Sequence, residues 1–336
     1  MSKITIPAGQ LMVSRLLQDV SGIFNSGIDL LRERRLPWRL TKWLAQRQQD
    51  KLRRESDVKV LATRPFLTGA DHPDFELHML LGRNHVGMAL WAVKSFLNAT
   101  GRAFTVVLHD DGTLSEIDIT TLTTHLIGVR VVRKNEADAI LRQKLAAYPN
   151  CLEYRFTSRD TTDHRGAKYN MRIFSLRLFD FNLLSEAKKT LVLDADVLFF
   201  KEPTEILQWA TSPSDGTSLY SVEQYLPVRD SRNNIVRFDL KTPRPTAANA
   251  GLLCFDKKAL DLALVDKWIG EHRDLMDKYA TFEQAAYNFL ILREGKATPL
   301  PDTYSFNYTD DLVMATHFAI KVRFFENVSR LSGALA

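Results

Sequence analysis

The chain has 336 residues, 45% hydrophobic and 25% charged, a composition typical of a globular protein with one large domain and an appendage, or with two domains. Two cysteines make no disulfide framework, the apolar runs are too short to span a membrane, and the N-terminus lacks a secretory signal, so we expect a cytoplasmic protein. Of the net charge of +5, residues 32–64 contribute eleven Lys or Arg against four Asp or Glu, which is +7 and leaves −2 for the rest. We therefore expect no nucleic-acid partner.

Residues 1–64 predict a basic, amphipathic helical extension before a main domain over residues 65–336. Apolar side chains recur at helical spacing within residues 10–35, and a second helix is predicted from Trp38 to Glu55. The basic residues of this second helix stand beside tryptophans. This pattern indicates a peripheral membrane or protein partner bound through residues 10–60, or a solvated helical hairpin packed on the main domain.

The main domain begins with alternating strands and helices. The predicted strands are Phe75–Leu81, Phe104–Leu108 and Val129–Val132, and the helices between them are Val86–Leu97 and Thr113–His125. This order predicts an α/β fold, in which a mostly parallel sheet with right-handed crossovers is flanked by helices. Ligands of such sheets bind beyond the carboxyl ends of the strands.

Polar side chains follow the first two predicted strands. Arg83 and Asn84 come after the first strand, and Asp110 and Asp111 come after the second. All four residues therefore fall at the edge of the sheet where a ligand is expected. Asp111 could equally be the N-cap of the next helix.

A further helix is predicted from Glu136 to Tyr148, then a polar loop over residues 157–166, then a helix from Lys168 to Leu184. Within the last helix, Lys168 and Arg172 are one turn apart on one face. This pair could bind phosphates, or it could be an ordinary surface pair.

Two acids then interrupt the apolar sequence. Asp194, Ala195 and Asp196 follow the run Leu191–Leu193, which is typical of a parallel strand buried on both faces. Buried carboxylates need a cation or several hydrogen-bond donors, and a divalent ion such as Mn²⁺ or Mg²⁺ on carboxylate oxygens keeps positions open for phosphate. The alternative is that the two acids merely end a strand and cap a turn.

The C-terminal third contains three more candidate segments. Asn249, Ala250 and Gly251 open a buried strand, where small residues let a ligand approach the backbone, although a tight turn explains the glycine equally well. Glu283 and Gln284 begin a predicted helix that runs to Leu292. His317 stands alone in an apolar segment, which is more typical of a hydrogen-bonded core histidine than of a metal ligand.

Taken in order, four motifs resemble those of nucleotide-sugar-dependent glycosyltransferases with the GT-A fold, and they are most similar to the metal-dependent, retaining enzymes grouped around glycosyltransferase family 8. The motifs are LVLDADVLFF, NAGLLCFD, FEQAAYNFLI and THFAIKVRFF, and they span about residues 75 to 325. The resemblance implies transfer of a hexose from a nucleotide diphosphate sugar, most simply a UDP-sugar, to an acceptor that the sequence does not identify.

The resemblance also implies roles for single residues. Asp194 and Asp196 would hold Mn²⁺ or Mg²⁺ with His317, and Asp194 and Ala195 would lie near the nucleotide. Lys321, and Lys168 or Arg172, would lie near the phosphates. The donor sugar would face Asn249, Ala250 and Gly251, and Glu283 and Gln284 would sit beside its anomeric carbon.

The chain departs from that family in two places. The first strand ends in Leu80–Asn84 rather than in the usual short Thr/Ala-Asp/Asn stretch, and the glycine and Pro-Trp pair that often follow the late histidine are absent. Two other classes therefore stay open. A sugar nucleotidyltransferase would share the sheet but would need a glycine-rich phosphate loop after its first strand, and a non-catalytic membrane-surface binding protein would use the N-terminal helices.

Overall fold

The computed structural model describes residues 38–69, 71–162, 168–170, 172–222, 248–276, 282–293 and 295–336. The chain divides into two compact units, Met1–Glu55 and Ser56–Ala336. The domain boundary expected at residue 64 stays a prediction. The helix expected within residues 10–35 and the whole segment 223–247 lie outside the described residues.

The secondary structure of the second unit alternates between strands and helices. The α-helices in the described part of the chain are α1 (Trp38–Leu61), α2 (Val86–Thr100), α3 (Glu116–His125), α4 (Lys134–Lys144), α5 (Pro149–Phe156), α6 (Ser175–Leu184), α7 (Thr204–Thr211), α8 (Leu262–Glu271), α9 (Arg273–Met276), α10 (Phe282–Leu292), α11 (Lys321–Asn327) and α12 (Ser329–Ser332). The strands are β1 (Phe66–Leu67), β2 (Phe75–Leu81), β3 (Thr105–Asp110), β4 (Leu126–Ile127), β5 (Arg130–Val132), β6 (Asp160–Thr162), β7 (Lys168–Asn170), β8 (Lys189–Leu193), β9 (Val197–Phe199), β10 (Ser218–Val222), β11 (Ala248–Asp256), β12 (Ala297–Pro299), β13 (Tyr304–Phe306) and β14 (Ala315–His317). None of the described helices is both long and apolar enough to cross a bilayer.

The central sheet has seven strands in the order β12-β10-β11-β8-β2-β3-β5. Strands β8, β2, β3 and β5 run parallel to one another, and β11 runs antiparallel to both β8 and β10. Because β11 is reversed, its first residues lie at the carboxyl end of β8. The predicted α/β fold with a mostly parallel, mixed sheet is confirmed.

A second, three-stranded sheet forms beside that edge. Its order is β13-β14-β9, and β14 runs antiparallel to β9 with His317 opposite Val197. Since β9 begins directly after Asp196, this register brings the late histidine to the end of β8.

A continuous hydrophobic core holds the helices against the central sheet. Helix α10 packs on β11, and α6 packs on β2 and β8. Phe181 of α6, Phe255 of β11 and Tyr287 of α10 are all buried in this core. Burial of one such side chain stabilises the fold by about 1.5–3 kcal/mol, so the first turns of both helices are held rigidly at the carboxyl edge of the sheet.

The predicted helix from Lys168 is wrong at its N-terminal end. Lys168–Asn170 is instead a strand that pairs antiparallel with Asp160–Thr162, within the segment predicted to be a loop, and the helix begins at Ser175. The Asn170 side-chain oxygen accepts hydrogen bonds from the backbone N–H groups of Arg159 and Arg172, both at 3.0 Å. Asparagine side chains that bind nearby N–H groups compete with helix formation, which explains the break.

The alternative of Asp111 as a helix N-cap is also wrong. Helix α3 is capped by Ser115, whose hydroxyl accepts the N–H of Asp118 while the Asp118 carboxylate accepts the N–H of Ser115. Asp111 instead accepts the N–H of Thr113 at 2.9 Å and closes a turn. The helix predicted from Glu136 to Tyr148 spans Lys134–Lys144, and a separate helix, α5, begins at Pro149.

Candidate metal centre

Asp194 and Asp196 lie on a tight turn between β8 and β9. The Asp194 N–H donates to the carbonyl of Gly251 at 2.8 Å, which is the last contact of β8 with the reversed strand β11, and the Val197 N–H donates to the carbonyl of Asp194 at 3.2 Å. The Asp194 side chain is partly exposed, whereas Asp196 is buried. The turn therefore directs two carboxylates to the carboxyl edge of the sheet, where a ligand was expected.

His317 completes the group from the second sheet. Its Nδ1 lies 3.0 Å from the Asn249 side-chain oxygen, which also accepts the Gly251 N–H at 2.7 Å. Because an amide oxygen only accepts, Nδ1 carries the proton, and Nε2 is left to face the acids. Nε2 lies 3.2 Å from Asp196 Oδ1 and 3.7 Å from Asp194 Oδ2.

The donor set of these three side chains fits a divalent ion. Two carboxylate oxygens and one imidazole nitrogen lie within 4.8 Å of one another. Asp196 Oδ1 is buried and accepts no hydrogen bond of good geometry, although His317 Nε2 lies 3.2 Å away, so a carboxylate oxygen that is costly to leave unsatisfied points into the group. Oxygen-rich sites with one imidazole suit Mn²⁺ and Mg²⁺. A plain core histidine would account for the burial of His317, but it would not account for the convergence of two carboxylates on its Nε2.

The charges around Asp196 are strongly coupled. Burial would raise the pKa of Asp196, but the Lys321 ammonium and the His317 imidazole hold that pKa far below its ordinary value. Burial would lower the pKa of His317, but the carboxylates of Asp196 and Asp194 raise it above its ordinary value. Lys321, the first residue of α11, contacts the second oxygen of Asp196 directly. The Asp196 carboxylate is thus already shared between the Lys321 ammonium and the His317 imidazole.

Arg177 is a site residue that the sequence reasoning missed. Its guanidinium lies on the buried face of α6, where Nη1 is 3.1 Å from Asp194 Oδ1 and Nε is 3.2 Å from Glu283 Oε1. It also donates to the backbone carbonyl of Ala250. The available signal was a cation within the apolar run SLRLFDF, because an arginine on a core-facing helix requires anionic partners.

Glu283 and Gln284 reach the site from the first turn of α10. Burial raises the pKa of Glu283 to about 7, an effect that Arg177 opposes and Asp194 adds to. The Gln284 side-chain oxygen accepts the N–H of Ala250 at 3.1 Å, which fixes the start of β11. Helix α10 therefore sets both a carboxyl group of near-neutral pKa and the backbone path of the Asn249–Gly251 segment.

The other predicted site residues lie further along the same edge or beside it. Arg83 and Asn84 form a short 3-10 helix after β2, and Arg83 pairs with Asp118 at 3.3 Å. Asp110 ends β3 and accepts the N–H groups of Gly112 and Leu114. Arg172 is buried and donates to the carbonyl of Glu153 at 3.3 Å. Lys168 and Arg172 do not share a helix face, and ligand contacts for all these residues stay predictions.

The close approach of Gly251 to His317 yields a first prediction. A Cβ at position 251 would lie 2.3 Å from His317 Cε1 and 2.7 Å from Nδ1, so Gly251→Ala must displace the imidazole. We expect the affinity for Mn²⁺ to fall by about 10²-fold, because displacements near 1 Å in a preorganised site have effects of that size. Gly333→Ala, whose Cβ meets no atom within 4 Å, is the matched control. Calorimetric Mn²⁺ titration checks this, and equal affinities in the two variants would contradict it.

The arrangement as a whole is that of the GT-A fold, a mixed sheet flanked by helices, with a candidate metal group of two acids and one histidine at its carboxyl edge. Among solved structures, the galactosyltransferase LgtC in complex with donor and acceptor sugar analogues is similar at a TM-score of 0.53 and 17% identity, over 78% of this chain and 96% of LgtC. An active-site mutant of LgtC gives 0.52 at the same identity and coverage. Mouse xyloside xylosyltransferase 1 in its apo form gives 0.49 and 12% identity, over 74% of this chain and 98% of its own.

No protein-family model and no curated protein matches the chain. At 17% identity, the likeness to LgtC shows the fold. The GT-A fold that the four sequence motifs predicted is therefore confirmed, and the activity has to be argued from the site.

Proposed function

We propose that this protein is a metal-dependent glycosyltransferase, which transfers a hexose from a nucleotide diphosphate sugar, in the first instance a UDP-sugar, to an acceptor hydroxyl with retention at the anomeric carbon. The observation that carries the proposal is the convergence of Asp194, Asp196 and His317, with a buried Asp196 oxygen left without a hydrogen bond, at the ligand edge of a GT-A sheet. The same fold in LgtC, which was solved with donor and acceptor sugar analogues, supports it.

The chemistry requires stabilisation of charge on both sides of the breaking bond. Departure of a diphosphate builds positive charge on the sugar ring and negative charge on the phosphate. When bound by Asp194, Asp196 and His317, Mn²⁺ or Mg²⁺ supplies electrostatic stabilisation of the leaving group. Lys321 adds a cation beside Asp196 for the same phosphates, and Lys168 and Arg172 are assigned to them as well.

The sugar side of the reaction is assigned to β11 and α10. Asn249, Ala250 and Gly251 present small side chains and backbone to the hexose, and Glu283 stabilises the positive charge of the ring. In a retaining reaction the acceptor hydroxyl attacks on the face that the diphosphate leaves, so the departing phosphate can accept its proton. The nucleoside is assigned to the segments after β2 and β3, which carry Arg83, Asn84, Asp110 and Asp111.

A ligand screen by thermal unfolding tests this function. UDP or GDP with Mn²⁺ is expected to raise the melting temperature more than either component alone, because a ligand at 100 times its dissociation constant stabilises the folded state by about 2.7 kcal/mol. Turnover of UDP- and GDP-sugars with and without Mn²⁺ then identifies the donor. Absence of any shift with all diphosphates, together with absence of turnover, would rule out the proposal.

We further propose that α1 contacts an anionic surface at the cytoplasmic membrane. Within the first unit, Trp43 is 49% exposed, and the Arg47 guanidinium lies 4.4 Å from the centroid of its ring. Lys51 and Arg54 are exposed on the same helix. Each basic residue near an anionic bilayer contributes about 1 kcal/mol. Flotation with phosphatidylserine vesicles should therefore fail for the full-length variant Arg47→Gln/Lys51→Gln/Arg54→Gln, and unchanged flotation would remove the proposal.

A further inference from the structure

The two oxygens of the Asp196 carboxylate face different cations. Oδ1 lies 3.2 Å from His317 Nε2 and belongs to the group of atoms that can hold a metal ion. Oδ2 contacts the Lys321 ammonium. A single buried carboxylate is therefore both a metal ligand and the counter-ion of a lysine.

Lys321 has few alternatives to this contact. Among the described residues, Asp196 is the carboxylate within 4.0 Å of its ammonium. Its side chain is 29% exposed, whereas that of Asp196 is 9% exposed, so the lysine is more accessible to solvent than the acid it contacts. Such a cation can leave Asp196 without unfolding anything, but it gives up its charge partner when it does.

A divalent ion and the lysine cannot share Asp196 without a large electrostatic penalty. Both are positive, the site is partly buried, and the local dielectric screens their repulsion poorly. The carboxylates of Asp194 and Asp196 supply two negative charges for the three positive ones of the ion and Lys321, and Asp194 is already paired with Arg177. A diphosphate changes this balance, because its oxygens can bind the metal and accept hydrogen bonds from a displaced ammonium at the same time.

We propose that Lys321 makes metal binding conditional on the diphosphate: it competes with the divalent ion for Asp196 when the ion arrives alone, and it pairs with the diphosphate when both arrive. This inference rests on the proposed function. It predicts that the divalent ion and the nucleoside diphosphate bind cooperatively, and that this cooperativity depends on the Lys321 side chain.

Isothermal titration of Mn²⁺, without and with saturating UDP or GDP, tests the proposal on the full chain. Lys321→Met keeps the length of the side chain and removes its charge. We expect this variant to bind Mn²⁺ alone about tenfold more tightly than the wild type and to lose about tenfold of the enhancement that the diphosphate gives, as expected for removing one charge from a partly buried site. Lys321→Arg should keep the coupling.

Lys267→Met is the matched control, because Lys267 is 72% exposed and pairs only loosely, at 3.9 Å, with Glu271 one turn away. Thermal unfolding of each variant shows whether it is folded, and Lys321→Arg reports on the coupling if the methionine variant is not. Equal Mn²⁺ affinity and equal coupling in wild type and Lys321→Met would overturn the inference while leaving the proposed function intact. A wild type that binds no Mn²⁺ even with diphosphate would overturn both.

Discussion

Asp196→Ala is expected to reduce Mn²⁺-dependent turnover of the donor sugar by about 10³-fold or more, since the proposed function makes this residue a charged ligand of the ion that stabilises the leaving group. The fold should persist, because both neighbours of Asp196 can be accommodated. Lys321 is partly exposed and can turn to solvent, and His317 keeps its hydrogen bond to the Asn249 side chain. Turnover and the urea midpoint, measured on the same preparation, check both halves of the prediction.

The control for this substitution is another aspartate replaced in the same way. Asp311 is fully exposed and its carboxylate lies 4.0 Å from Arg330, so Asp311→Ala should leave turnover and stability unchanged. If Asp196→Ala retained wild-type turnover with a normal urea midpoint, the carboxylate would have no part in metal binding and the enzymatic proposal would lose its main support.

Arg177→Met is expected to lower the free energy of unfolding by about 3–5 kcal/mol, because it leaves a buried carboxylate without its cation. Glu283 is almost fully buried beside the guanidinium, and Asp194 lies on its other side. The carbonyl of Ala250 also loses its donor. Urea denaturation measures the loss, which should be accompanied by a loss of turnover.

The pH dependence and a second substitution separate charge from packing in this result. The folded-state pKa of Glu283, about 7, lies above the unfolded value of 4.5, so this group costs stability as pH rises between those values. Without Arg177 the folded-state pKa should rise further, and the stability lost should be larger at pH 8 than at pH 5. The double variant Arg177→Met/Glu283→Gln should recover part of it. A loss of equal size at both pH values would point to packing alone.

The parts of the site that the sequence predicted are those encoded locally. Asp194 and Asp196 follow a continuous apolar run, and such a run specifies a buried strand and its end without reference to the rest of the chain. Asn249–Gly251 could be placed at the start of a buried strand for the same reason. The antiparallel orientation of β11 brings this segment to the acids, but no local pattern in the sequence of β8 or β11 predicts that orientation.

Other features depend on tertiary contacts that no local pattern specifies. In the sequence, Arg177 only interrupts an apolar helix, because its partner Glu283 lies on α10, more than 100 positions later. The hairpin of β6 and β7 has strands of three residues, too short for an alternation to be recognised. The capping box of Ser115 and Asp118, in contrast, is a local sequence pattern, and it explains why Ser115 rather than Asp111 is the N-cap of α3.

The pairing of β9 with β14 has a consequence for how the protein becomes active during synthesis. Lys321 lies 125 positions after Asp196, and His317 arrives only slightly earlier, so the acids leave the ribosome long before the side chains that neutralise them. At about 5–20 residues per second, the delay is on the order of ten seconds. Through that interval the nascent chain carries the two acids of the candidate metal site without His317 and Lys321, and the site is complete only after β14 has paired with β9.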